Sequence, residues 1–157
     1  MQSTTRSALT ANIGRGILAG VAGTAVMTAF QKFIEMPTTG RADSYAPAQF
    51  AERVLPLSPS TPRGRTQLNY ATHFALGGMW GTAYGIAAHA GMSGQKAVHT
   101  VFATVYTSDV ILNTALGLYR PTTWSTKDWI VDLVDKYVQA QATGLIFDRL
   151  LSPARQP

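Results

Sequence analysis

From Thr66 to Gln95 the chain carries no formal charge, and none lies between Arg15 and Lys32, where the sequence reads GILAGVAGTAVMTAF. Between Lys96 and Arg120 only Asp109 interrupts a third uncharged stretch. A helix in water needs a charged or polar face along its length, whereas a helix crossing the bilayer core needs about 20 predominantly apolar residues. Each stretch can be extended to that length, and Arg15 and Lys32 frame the first as snorkelling residues would. Charged residues are 13% of the 157, about half the usual share of a soluble domain. Gly recurs inside the same segments, at a cost of about 1 kcal/mol each in an aqueous helix but tolerated in membranes. A soluble bundle with bland helices is the alternative that the modest mean hydropathy of the chain leaves open.

The pattern predicts an all-α, polytopic four-helix transmembrane bundle in one integral membrane domain, residues 1–157. The helices are expected at about 13–36, ended by Pro37, at 66–90, ended by Gly91, at 96–119, ended by Arg120–Pro121, and at 125–151. The last opens with Ser125 and Asp128 in capping-box spacing. A Pro-rich loop joins helices 1 and 2. Within it Asp43–Ser44 is expected to cap a short helix near Pro47, whose apolar side is Phe50, Val54 and Leu55 and which lies in the interface. With no twin Arg and no small-residue cleavage site, the first apolar run reads as a retained helix.

Gly77, Gly81 and Gly85 follow four apart on helix 2, and Gly16, Gly20 and Gly23 form a similar row on helix 1. Small residues at that spacing let backbones approach closely in lipid. The rows pack helix 1 on helix 2, or one of them docks a second copy or another membrane subunit. Leu76, Met79, Ala83 and Ile86 are expected to face lipid.

Asp109 stands near the middle of helix 3 with Tyr106 and Asn113 on its face, a costly position for an acid. It is either a neutral acid fixing packing with Asn113 or a proton- or cation-handling carboxylate. On helix 4, Asp128, Asp132, Asp135 and Gln139 share one face, and Lys136 can pair with Asp132. This acidic face is expected to meet water in an interfacial first turn or two, beside Trp124 and Trp129, with an acidic channel as the alternative. His89 and His99 flank the turn between helices 2 and 3. Haem or metal ligation by that pair is the minor alternative to an expectation of no cofactor and no metal site, and His73 belongs to the opposite surface.

No cysteine is present, which excludes disulfides and thiolate chemistry. G-x-S-x-G, Walker A, H-E-x-x-H and G-x-G-x-x-G patterns are missing, so no catalytic residues are expected and the chain reads as a non-enzyme. The net charge of +5 is scattered over loops, which argues against nucleic acid and suits anionic lipid headgroups. Lys32, Arg41, Arg53, Arg63, Arg65, Arg120 and Lys127 outnumber Arg6, Arg15, Lys96, Arg149 and Arg155 on the other side, which favours a cytoplasmic first loop.

The opening G-R-G-I-L-A-G, the Pro-rich first loop, His73-Phe74 with Tyr84 in helix 2, and a closing helix after Trp124 resemble the YagU-like bacterial inner-membrane proteins. The resemblance covers most of the chain and implies a multi-pass protein of the bacterial inner membrane with a link to acid resistance. The acidic last helix, which lacks His, departs from the family pattern. Two functions are expected: a structural or accessory role through glycine-mediated helix packing, in a homo-oligomer or a larger assembly, or a small proton- or cation-coupled transporter using Asp109.

Overall fold

A computed structural model describes residues 2–152, with side chains from residue 6 onward; Arg155 lies outside the described residues. Every element among them is helical: α1 (Gln2–Phe30), α2 (Met36–Thr39), α3 (Ala46–Val54), α4 (Pro62–His89), α5 (Gly94–Ala115) and α6 (Thr126–Ile146). α1, α4, α5 and α6 run alternately up and down. α1 packs on α4, α4 on α5, α5 on α6, and α6 closes back on α1. One end of the bundle carries the α4–α5 turn; the other carries the loop and α3.

The boundaries differ from expectation where local chemistry was misread. α1 does not stop at Pro37 but passes through a π-helical turn, Gln31–Glu35, into α2, which ends at Gly40 with φ +71°. Proline lacks an N–H and its ring crowds the carbonyl four residues back, and the wide turn just ahead of it relieves that crowding. α4 starts earlier than residue 66 because Thr61 caps it, its Oγ1 accepting from Gly64 N at 3.0 Å, with Pro62 in the first turn. α5 ends at Ala115, not at Tyr119, because Gly117 takes φ +73° and Leu118 N returns to Asn113 O at 2.8 Å. The Ser125–Asp128 capping box opens α6, and a π turn, Phe147–Leu151, closes it.

α3 forms where expected. Of the expected Asp43–Ser44 pair, Asp43 instead bonds Lys32, while Ser44 Oγ accepts from Ala46 N at 3.3 Å; the residue at the cap position is Tyr45. Ala48 and Ala51 are its buried side, while Val54 and Leu55 are exposed. The helix is moored to α4 by Asn69, whose Oδ1 accepts from Ala48 N at 3.0 Å and whose Nδ2 donates to Ser44 O at 3.0 Å. Arg65 and Glu52 add an ion pair at 3.1 Å.

The core lies between α4, α5 and α6: Trp80, Tyr84, Ala87, Ala97, Val98, Val101, Ala140 and Phe147, with Ala19 from α1. Leu18, Phe33, Met79, Ile86, Ile111 and Leu145 point outward and are more than half exposed. The buried set in turn holds Thr24, Glu35, Asn113, Asp135, Gln139 and Thr143. Buried polar side chains thus stand beside an apolar core, while large apolar side chains lie on the surface. Among the described residues one helix, Arg6–Thr39, is long and apolar enough by length and composition to cross a membrane.

Candidate functional site

The two glycine rows meet each other. A Cβ on Gly20 would lie 2.7 Å from Gly81 N and 2.8 Å from Gly81 Cα, and one on Gly85 would lie 2.9 Å from Asn12 C. Gly16 abuts the Gly81 carbonyl in the same way. Only residues without a Cβ allow backbones this close. Gly23 departs from the row and faces α6, where a Cβ would meet Thr143 N at 3.0 Å and Gln139 O at 3.1 Å. The α1 row thus serves two neighbours. Met79 and Ile86 face outward as expected, but Leu76 and Ala83 are half-buried, because α5 covers the flank of α4 opposite α1.

Gly23 lets α6 approach α1, and so the acidic face of α6 turns inward. This corrects the expectation that it meets water. Asp135 is 5% exposed and Gln139 4%, and Asp132 is mostly covered; Asp128, in the first turn, is only partly covered. Each inward group finds polar company on another helix, as buried polar groups must. Gln139 Nε2 donates to Thr24 Oγ1 at 2.9 Å, and Gln31 Nε2 to Asp135 Oδ2 at 2.8 Å. Thr28 Oγ1 lies 3.1 Å from His73 Nε2, joining α1 to α4.

Asp109 has more partners than Asn113 alone. Lys136 Nζ lies 2.8 Å from Asp109 Oδ2 and 2.9 Å from Asp132 Oδ1, so one cation serves carboxylates on two helices. Asn113 Nδ2 donates to Asp109 Oδ1 at 2.9 Å, and Tyr106 OH to Asp132 Oδ2 at 3.0 Å. The ammonium also sits 5.3 Å from the ring centres of Tyr106 and Tyr119, a cation–π distance. Tyr119 reaches it because Gly117 ended α5 early and folded the chain back.

Asp109, Asn113, Tyr119, Asp132 and Lys136 line a cavity of about 350 Å³ that opens between the helices toward α3 and the loop before it. Glu35, Asp43, Asp109, Asp132 and Asp135 supply five carboxylates; Lys32, Arg41 and Lys136 supply three cations. Met27, Leu76 and Trp80 form apolar wall. Lys32 is taken by Asp43, Arg41 Nη1 lies 3.9 Å from Glu35, and Lys136 holds its pair. Asp135 has only Gln31, and its Oδ1 is buried without a hydrogen-bond partner.

The sequence reading missed Gln31 and Glu35, which the π turn carries to the cavity, although their spacing of four ahead of Pro37 put both on one helix face. His99 is engaged with Tyr137 of α6, Nε2 to OH at 3.0 Å. Among the described residues no three His, Asp or Glu converge as metal ligands. At the other end Asp148, in the second π turn, accepts from Tyr84 OH at 2.9 Å and Gly94 N at 2.7 Å. No family model, curated protein or solved structure matches the chain.

Proposed function

We propose that this is a small multi-pass protein of a bacterial inner membrane, all four long helices crossing, which handles protons or small cations in its polar cavity and has no enzymatic activity. The observation that carries this is Asp135: a carboxylate buried in the bundle, lining the cavity, in no ion pair among the described residues and with one oxygen unpaired. An ionisable group kept in such a place is costly and serves substrate or ion handling by default in a membrane. Asp109, the acid first expected in that role, is held by Lys136 and acts in positioning. The outward apolar residues support the membrane setting.

The test has two parts. Carbonate-washed membranes should retain the protein, and recovery of folded protein in the soluble fraction would refute the setting. Purified protein in proteoliposomes should then pass protons or a monovalent cation down a gradient, read by an internal dye, and Asp135→Asn should abolish the flux. Flux equal to that of empty vesicles would refute the function.

An accessory role in a larger assembly is the second reading, favoured by one feature. The outer face of α5 presents Thr100, Ala103, Thr104, Thr107 and Ser108, all exposed and small. Thr104 and Ser108 return their hydroxyls to carbonyls one turn back, at 2.8 Å each, leaving a low surface on which another helix can lie closely. An oligomer or a co-purifying subunit in mild detergent, lost in Ala103→Phe, is the outcome this reading expects.

A further inference from the structure

We infer that the cavity binds a small organic amine in its protonated form, with Asp135 as counter-ion. This rests on the cation-handling reading and gives it a ligand class. Charge sets the sign of the occupant. Five carboxylates face three cations across the cavity, and each cation already has an acidic partner: Lys32 has Asp43, Arg41 has Glu35, and Lys136 has Asp109 and Asp132. An anion would meet no free positive charge there. Asp135 is the carboxylate left over.

Hydrogen bonding narrows the class. Asp135 Oδ2 accepts from Gln31 Nε2 at 2.8 Å, whereas Oδ1 has no donor. A buried acceptor left unpaired costs about 1–3 kcal/mol, more when charged, so the fitting occupant brings an N–H as well as a positive charge. Primary and secondary ammonium groups bring both. A quaternary ammonium brings charge alone, and an alcohol brings a donor alone. A bare metal ion would find no third acid or imidazole converging on it among the described residues. The carboxylate torsion is soft and two-fold, so either oxygen can be offered to the occupant while Gln31 holds the other.

Shape supplies the rest. A volume of about 350 Å³ falls at the small end of ligand cavities, where apolar walls and a few placed polar groups share recognition. Met27, Leu76 and Trp80 provide the apolar wall. The ligand that fits is a compact monoamine with an apolar or aromatic body.

The test uses the full chain in mild detergent and three probes: benzylammonium, benzyltrimethylammonium and benzyl alcohol, followed by calorimetry and Trp fluorescence. Benzylammonium should bind saturably at one site per chain, with the other two at least tenfold weaker. Asp135→Asn should lower benzylammonium affinity at least tenfold while keeping its helical circular dichroism and elution volume. Leu76→Trp, which fills the cavity from α4 and leaves the acid intact, should do the same and serves if Asp135→Asn does not fold. Absence of saturable binding, equal binding of benzyltrimethylammonium, or unchanged affinity in either folded variant would overturn the inference. Asp135-dependent ion flux without amine binding would overturn the amine site alone. Amine binding without any flux would refute the proposed function and leave the site standing.

Discussion

Gly81→Ala is the sharpest perturbation the fold offers, because it adds one methyl group where no side chain can move aside. The new Cβ would sit 2.7 Å from Gly16 C and 2.8 Å from Gly20 Cα, and nearer still to Gly16 O. Ordinary carbon–carbon contact needs about 3.5 Å, so α1 and α4 must part along the seam. Parting also forfeits the dispersion contacts of Gly16, Gly20, Gly77 and Gly85. Overpacking usually costs about 1–3 kcal/mol; here the obstructing atoms are backbone, which places the cost at the upper end, about 3 kcal/mol, or on the order of 100-fold in the folding equilibrium. Reversible unfolding by SDS in mixed micelles, followed by circular dichroism, measures it. Gly14→Ala is the internal control: it lies on α1, the other helix of the seam, with nothing within 4 Å of its added Cβ, and should be neutral or slightly stabilising. Equal stability of Gly81→Ala and Gly14→Ala would refute the seam.

Lys136→Met should destabilise by about 3 kcal/mol, because Asp109 and Asp132 lose their shared cation while still mostly covered; adding Asp109→Asn should restore part of that in the same assay. Met79→Leu should leave stability within about 0.5 kcal/mol, since Met79 is 65% exposed on the outer face of α4, and a larger loss would show that face to be covered. Asp128, in the interfacial first turn of α6, has its pKa held below the usual carboxylate value by hydrogen bonds from the Ser125 hydroxyl and N–H. A depressed folded pKa gives stability that is present above the unfolded value, near 4, and lost as pH falls through the folded one. Asp128→Asn should accordingly be less stable than the parent at pH 6 and indistinguishable from it at the acid end of a melting series; a constant difference would refute the assignment.

The glycine contact was legible because it rests on spacing alone: residues four apart share a helix face in any environment. The capping box of Ser125 and Asp128 was legible for the same reason, as both partners lie within one turn. The direction of the α6 acids was not. Asp132, Asp135 and Gln139 face inward only because Lys136, Gln31 and Thr24 receive them, and two of those three stand on another helix more than a hundred residues away. The span count was harder still, because uncharged is not the same as apolar. The stretch Thr66–Gln95 contains Gln67, Asn69, Thr72 and His73, of which Asn69 ties α4 to α3 and His73 ties it to α1. The early end of α5 was written in Gly117, masked by the stronger stop at Pro121.

The seam between α1 and α4 also sets an order of assembly during synthesis. α1 leaves the ribosome first with its glycine backbone bare, and the residues that cover it, Gly77 to Gly85, follow only after the whole Pro-rich segment has been made. Until then α1 has no protein partner for that face, and Gly23 still waits for Thr143 near the far end of α6. A bulky substitution in the row would therefore act during biogenesis, as slow pairing and capture by membrane proteases, before any mature cavity existed to be impaired. Low abundance with normal activity per surviving molecule would be its signature, whereas lesions at Asp135 should give normal abundance with lost activity.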